Sequence, residues 1–323
     1  MMLARRRFLR LGLAAAMVPS LRGAARAQAY PSRPVRILVG FAPAGAVDIT
    51  ARLVAQSLSE QLGQPFTVEN RPGAGTNIAT EAAVRSPPDG YTLVMVSPPA
   101  AINATLYEKL NFNAIRDIAP IASAIKMPFV LVVNPAVPAK TVPELIALAK
   151  ANPGKITMAS SGNGSGLHLS GELFKMMAGV DLVHVPYRGE ALAITDLIAG
   201  QVQTMFGTTA VCNEHIKAGK VRALALTTAM EGATDLPVMS EFLPGYESSF
   251  WTGFGAPRST PPDVIEKLNR QINLALADPR IIARFADLGG AVLAGSPADF
   301  GKLIAGETEK WGKVIRAAHI RPE

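Results

Sequence analysis

The chain has one cysteine, Cys212, so no internal disulfide can form. With no second thiol and no nearby catalytic motif, Cys212 reads as a small buried apolar residue. Its four histidines, His168, His184, His215 and His319, are scattered and share no metal-ligand spacing. Aromatic residues make up only 6% of the chain, too few to build a stacking surface for bases. Beyond the first 29 residues no apolar run is long enough to span a bilayer. Acidic residues are absent from residues 1–29, which hold six arginines, Arg5, Arg6, Arg7, Arg10, Arg22 and Arg26. Removing that segment lowers the formal net charge from +7 to +1. The basic balance of the whole chain therefore does not argue for nucleic acid.

Residues 1–29 have the layout of an export signal. Arg5-Arg6-Arg7-Phe8-Leu9-Arg10 is a basic opening of twin-arginine type, and Leu11–Val18 is a short apolar run. Ala27-Gln28-Ala29 offers a small-x-small cleavage site, which places the start of the mature protein at Tyr30. Export takes the protein out of the cytoplasm.

What remains is rich in alternation. Val35, Ile37, Val39 and Phe41 have strand spacing, and Ile49, Leu58 and Leu62 continue at helical spacing. Between them lies the small-residue turn Ala42-Pro43-Ala44-Gly45. A strand turning tightly into a helix aims the helix's first N–H groups at the space above the turn, where an anion is favoured. The strand–loop–helix unit recurs. Strands are expected near 65–70, 91–96, 127–133, 155–159, 182–185, 201–206 and 221–226, with a return crossing at 251–257. Ser97-Pro98-Pro99-Ala100-Ala101 reads as a loop, and the last third of the chain as three helices starting near Pro262, Pro279 and Pro297. The rhythm predicts an α/β protein with a mostly parallel sheet in each of two lobes, joined by two crossing strands. The first lobe is expected over 30–126 plus 253–323, the second over 127–252. Ligands of open α/β sheets bind beyond the carboxyl ends of the strands. That gathers the loops after Val39, Val96, Ala159, Val185 and Phe206 around one cleft.

Ser160-Ser161-Gly162-Asn163-Gly164-Ser165-Gly166 is the second donor-rich loop. No Gly-Lys-Ser/Thr follows it, so it is not a phosphate loop of that type, and it lacks the dinucleotide fingerprint. Ser165 beside His168 raises a hydrolase alternative, but Asn163 stands where a nucleophile elbow needs glycine. Asp48 and Arg52 are spaced as a helix ion pair.

Several motifs carry a family resemblance: Phe41-x-Pro43-x-Gly45-x-x-Asp48, Glu69-Asn70-Arg71-Pro72-Gly73-Ala74-Gly75-x-Asn77-Ile78 and Pro88-Asp89-Gly90-Tyr91-Thr92-Leu93. Gly162-Asn163-Gly164-Ser165-Gly166-x-His168-Leu169 and Val183-His184-Val185-Pro186-Tyr187-Arg188-Gly189 extend it across the mature chain. On these the chain resembles the Bug family, periplasmic solute receptors of tripartite tricarboxylate transporters. The resemblance implies a two-lobed, type II, venus-flytrap binding protein without catalytic activity, cofactor or metal. It implies delivery of a small organic carboxylate to membrane permease subunits, a capture for which a monomer suffices; a sensor kinase as the downstream partner is the alternative.

The expected ligand-facing residues of the first loop are Phe41, Pro43, Ala44, Gly45, Ala46, Val47 and Asp48, acting mainly through main-chain N–H groups. Ser97 joins them at the end of the third strand. The opposite lobe offers Ser161, Gly162, Asn163, Gly164, Ser165 and His168, with Tyr187, Arg188 and Gly207 from the next two loops. Two departures from the family matter. Ala44 replaces the first glycine of a usual pair, so φ > 0 is harder to reach there. Gly207 stands where the family commonly has aspartate. That removes a charge from the cleft and favours a carboxylate without an amino group. The apolar Pro98-Pro99-Ala100 suits a ligand with an alkyl or aromatic body.

Overall fold

The computed structural model describes residues 30–107, 109–229 and 236–322. The export segment 1–29 lies outside the described residues. The chain divides into a short unit, Met1–Ser32, and a large one, Arg33–Glu323; the elements below belong to the large unit.

Its first part runs β1 (Val35–Val39), α1 (Ala46–Leu62), β2 (Phe66–Asn70), a 3-10 turn at Ala74–Thr76, α2 (Asn77–Val84), β3 (Thr92–Val96), α3 (Pro98–Leu106) and the one-turn α4 (Ala114–Asp117). Then come β4 (Ile118–Val133), α5 (Val142–Ala151), β5 (Thr157–Ser160), α6 (Gly166–Ala178), β6 (Val183–Pro186), α7 (Glu190–Ile198), β7 (Thr204–Thr208), α8 (Thr209–Lys217) and β8 (Arg222–Leu226). The chain ends with β9 (Ser249–Pro257), α9 (Pro262–Leu276), α10 (Pro279–Asp287), the short β10 (Ala291–Val292) and α11 (Pro297–Ala317).

Local chemistry sets many of the boundaries. Val35, Ile37, Leu38 and Val39 are all buried, the pattern of a strand covered on both faces. Gly63 and Gly179 end α1 and α6 in the left-handed conformation. Proline stands in the first turn of α3, α5, α9, α10 and α11, where its missing N–H costs nothing. Thr141 caps α5 by accepting the Glu144 N–H, while the Glu144 carboxylate reaches back to the Lys140 N–H.

The strands follow the order β2-β1-β3-β9-β4-β7-β5-β6, with β8 and β10 also paired to β4. The groups β2-β1-β3 and β7-β5-β6 are each parallel, as expected. Three expectations are corrected. The crossing strand β4 begins at Ile118, nine residues before the apolar run Met127–Val133; its first half carries Pro120, Ser123 and Lys126, which mask the strand signal. The stretch 98–106 is helix, not loop, because Pro98 and Pro99 occupy first-turn positions. The helix α8 and the short strand β10 were not anticipated.

Strand β4 joins the two halves. Residues 118–128 pair with β9, and residues 129–133 pair with β7 and β8. This register also sets where the strand ends meet. Val96, the last residue of β3, lies opposite Gly253, which lies opposite Ser123 of β4. Thr208, the last residue of β7, lies opposite Phe129. Strand β3 runs in the same sense as β4, and β7 runs against it. The carboxyl ends of both parallel groups therefore point toward each other, six residues of β4 apart, roughly 20 Å of strand.

Candidate functional site

Strand β1 delivers the chain to the loop 40–45 at one of these facing edges. Gly40 is needed there: a Cβ would lie 2.5 Å from the Thr76 Cβ. Ala44 adopts φ 68° despite its side chain. The difficulty anticipated for alanine is overcome by a hydrogen bond, since the Ala44 N–H donates to Asp48 Oδ2 at 2.9 Å. The same oxygen accepts from Arg52 Nε at 2.9 Å, and Oδ1 accepts from Asn70 Nδ2 at 2.8 Å. Asn70 Nδ2 also donates to the Phe41 carbonyl, and Arg52 Nη2 donates to Asn70 Oδ1. Burial by itself raises the Asp48 pKa; the bonds from Arg52, Ala44 and Asn70 outweigh it and hold the carboxyl below its ordinary value.

Asp48 is thus turned inward, 2% exposed, and organises the loop from beneath. Gly45 precedes α1 with extended backbone and has no side chain to cap it. The first intrahelical bond is Ile49 N–H to the Gly45 carbonyl. The N–H groups of Ala46, Val47 and Asp48 therefore have no acceptor within the helix. Pro43, Ala44 and Gly45 are exposed, Phe41 and Ala46 half-buried, and Val47 buried. An uncapped helix start whose only nearby acid is already neutralised is an anion site made of backbone. Ser97, buried at the head of α3, makes no capping bond to its helix; Pro98 is buried, and Pro99 and Ala100 are half-buried behind it.

The facing loop is more self-contained than its composition suggested. Gly162 N–H donates to Ser160 Oγ, Gly164 N–H to His168 Nδ1, and Ser165 N–H to the Gly162 carbonyl. Ser165 Oγ caps α6 by accepting the His168 N–H. Ser161, half-buried, and Asn163, exposed, keep the loop's open donors. Gly164 has φ 71°, and a Cβ there would meet Leu106 of α3 at 2.3 Å, so this loop packs directly on the first half.

Beneath it, His168 and His184 stack at 3.6 Å between ring centroids, 5° from parallel. His184 Nε2 lies 2.6 Å from Ser160 Oγ. Burial, then the neighbouring His168, lower the His184 pKa to about 4. Glu172 faces His168 at 3.6 Å and pairs with Lys175 at 2.8 Å. His168 is buried and supports the loop rather than facing the cleft. Its Nδ1 is occupied by Gly164 and its amide by Ser165, so Ser165 and His168 do not form the nucleophile–base pair a hydrolase would need.

Tyr187, half-buried, donates its hydroxyl to Asp196 at 2.7 Å; burial, then Asp196, push its pKa up to about 12. Arg188 is exposed. Gly207 is buried inside β7, where a Cβ would lie 2.4 Å from Cys212 Sγ. The Glu190 carboxyl sits 3.1 Å from that same Cβ position and accepts the Thr208 N–H and hydroxyl. Glu190 was missed because an acid opening a helix reads as dipole compensation. Cys212 is buried as expected, and its thiol pKa is raised by burial and by Glu190.

Among the described residues no group of three or more His, Cys, Asp or Glu is placed to hold a metal ion. No described helix is long and apolar enough to cross a membrane.

Two parallel α/β groups, joined by crossing strands with their carboxyl ends opposed, define a two-lobed periplasmic binding-protein fold of type II. Residues 50–320 match the model of the tripartite tricarboxylate transporter family receptor. BugT of Bordetella pertussis is 36% identical over 295 residues, 90% of this chain and 90% of its own. A solved R. palustris protein, Rpa4515 with adipate, is 34% identical with a TM-score of 0.79, covering 91% of this chain and all of the other. MatC from Rhodopseudomonas palustris with bound malate is 30% identical with a TM-score of 0.75, covering 88% of this chain and all of the other. The chain belongs to the Bug family of tripartite tricarboxylate transporter receptors, whose members bind solutes.

Proposed function

We propose that this protein captures a small organic carboxylate between its lobes and delivers it to the permease of a tripartite tricarboxylate transporter, without chemical turnover. The uncapped start of α1 carries the reading: three N–H groups, Ala46, Val47 and Asp48, at an edge that faces the second lobe. Adipate and malate in the two similar structures are ligands of the same chemical class. Ser97, Ser161, Asn163, Tyr187 and Arg188 line the remainder, while His168 and Asp48 hold the loops in shape. We place the lobes at 30–126 plus 253–323 and 127–252, closing about β4 and β9. The exported protein works in the periplasm as a monomer, after cleavage near Ala29.

Ala46→Pro tests the reading. Proline at the first helical position is compatible with the extended backbone of Gly45 and removes one donor without breaking the helix. Isothermal calorimetry against adipate, malate and succinate should show binding by the wild type and at least about tenfold weaker binding by the variant. Equal affinity in a variant with unchanged melting temperature would refute recognition by these amides.

A further inference from the structure

The end of β7 presents a carboxyl group that the capture of one carboxylate does not use. We propose that Glu190 forms an acidic subsite, at the lobe edge opposite the α1 loop, that accepts an ammonium group at the far end of the ligand. The inference rests on the carboxylate-capture reading above and specifies the other end of the same ligand.

The argument starts from geometry. The loop after β6 ends at Gly189, with φ 118°, and places Glu190 at the first position of α7. The side chain reaches across to β7 because residue 207 has no Cβ, and Glu190 Oε1 lies 3.1 Å from where one would be. There it accepts the Thr208 N–H, while the Thr208 hydroxyl lies 3.0 Å from both carboxyl oxygens. Thr208 is the last residue of β7, at the edge that faces the first lobe. The next residue already touches the segment before β10, Thr209 Oγ1 donating to the Gly289 carbonyl.

A carboxylate has about four acceptor positions, and two donors from Thr208 leave the others open. No Lys, Arg or His among the described residues forms an ion pair with Glu190. Arg188 and Lys217 have their charges elsewhere, the first exposed and the second on Glu214. Burial raises the Glu190 pKa above its ordinary value, and the donors of Thr208 only partly offset this. Its ionised form is therefore one that an added cation stabilises. A second ligand carboxylate at the same place meets a like charge instead.

The test uses matched ligands that differ only at the far end. Calorimetry at neutral pH compares 4-aminobutyrate with succinate and 6-aminohexanoate with adipate, on wild type and on Glu190→Gln. Glutamine keeps the length and an acceptor for Thr208 and removes the charge. At the chain length that fits, the wild type should prefer the amino acid, and the variant should shift the ratio at least about tenfold toward the dicarboxylate. Glu214→Gln, an exposed acid on α8 paired with Lys217, removes one charge outside the site and serves as control; it should leave the ratio unchanged. An unchanged ratio in Glu190→Gln overturns the subsite and leaves carboxylate capture standing. Failure of the wild type to bind any of the four overturns both.

Discussion

Replacing Asp48 with asparagine preserves volume and turns one carboxyl oxygen into a donor. The surroundings do not tolerate that. Oδ2 receives Ala44 N–H and Arg52 Nε, and Oδ1 receives Asn70 Nδ2. Placing the new amide nitrogen at either oxygen sets donor against donor. Asn70 cannot flip to relieve this, because its own Nδ2 holds the Phe41 carbonyl and its oxygen holds Arg52. A lost hydrogen bond to a charged group costs about 1.5–3 kcal/mol, and a buried unpaired donor about 1–3 kcal/mol. Arg52 is half in solvent, which moves its share to the low end. The expected loss of stability is about 2–4 kcal/mol, seen as a lower urea midpoint. The Ala44 turn also loses its anchor, so affinity for a bound carboxylate should fall about tenfold in calorimetry. The pH dependence gives a second reading. The native pKa lies below the ordinary value of 3.8, so the contribution is full above that value and disappears as pH falls through the lowered native one. The gap between wild type and variant should therefore narrow below about pH 4. A variant that unfolds at the same urea concentration and binds as tightly would refute Asp48 as the organiser of this loop.

Ala44→Gly removes a Cβ from a left-handed position, worth about 1–2 kcal/mol, against about 0.4–1 kcal/mol of added chain entropy when unfolded. The net gain, at most about 1.6 kcal/mol, should raise the melting temperature by up to a few degrees, and a lower one would contradict the strain. His184 is protonated less readily folded than unfolded, so stability should fall as pH drops from 6.5 toward about 4. His184→Asn should flatten urea-derived stability across that window, by no more than about 3 kcal/mol; an identical slope would exclude His184 as the source.

Local signals were legible where chemistry and structure are neighbours in sequence. The alternation of Val35, Ile37 and Val39, the first-turn prolines of α9 and α11, and Thr141 ahead of α5 each act within a few residues. The crossing strand β4 was half visible, because its first half, interrupted by Pro120, Ser123 and Lys126, is stabilised by β9, more than a hundred residues away. The donor loop 160–166 showed its residue types but not their state. Two of its amides, those of Gly162 and Gly164, are spent on Ser160 and His168, which fold back on it, and that of Ser165 on the Gly162 carbonyl.

Most of the strand–loop–helix order, the two donor loops and the family were written in the chain itself, since they follow from periodicity, turn residues and motif spacing; α3, α8, β10 and the first half of β4 were not. Which groups remain free to meet a ligand was decided only by packing. Asp48 and His168 lie next to the cleft in sequence yet are consumed from below, by partners contributed from β2 and from within the loop. Glu190 belongs to a helix start and acts at the end of another strand. That assignment depends on distances between segments, here the 3.1 Å separating its oxygen from the empty side-chain position of Gly207.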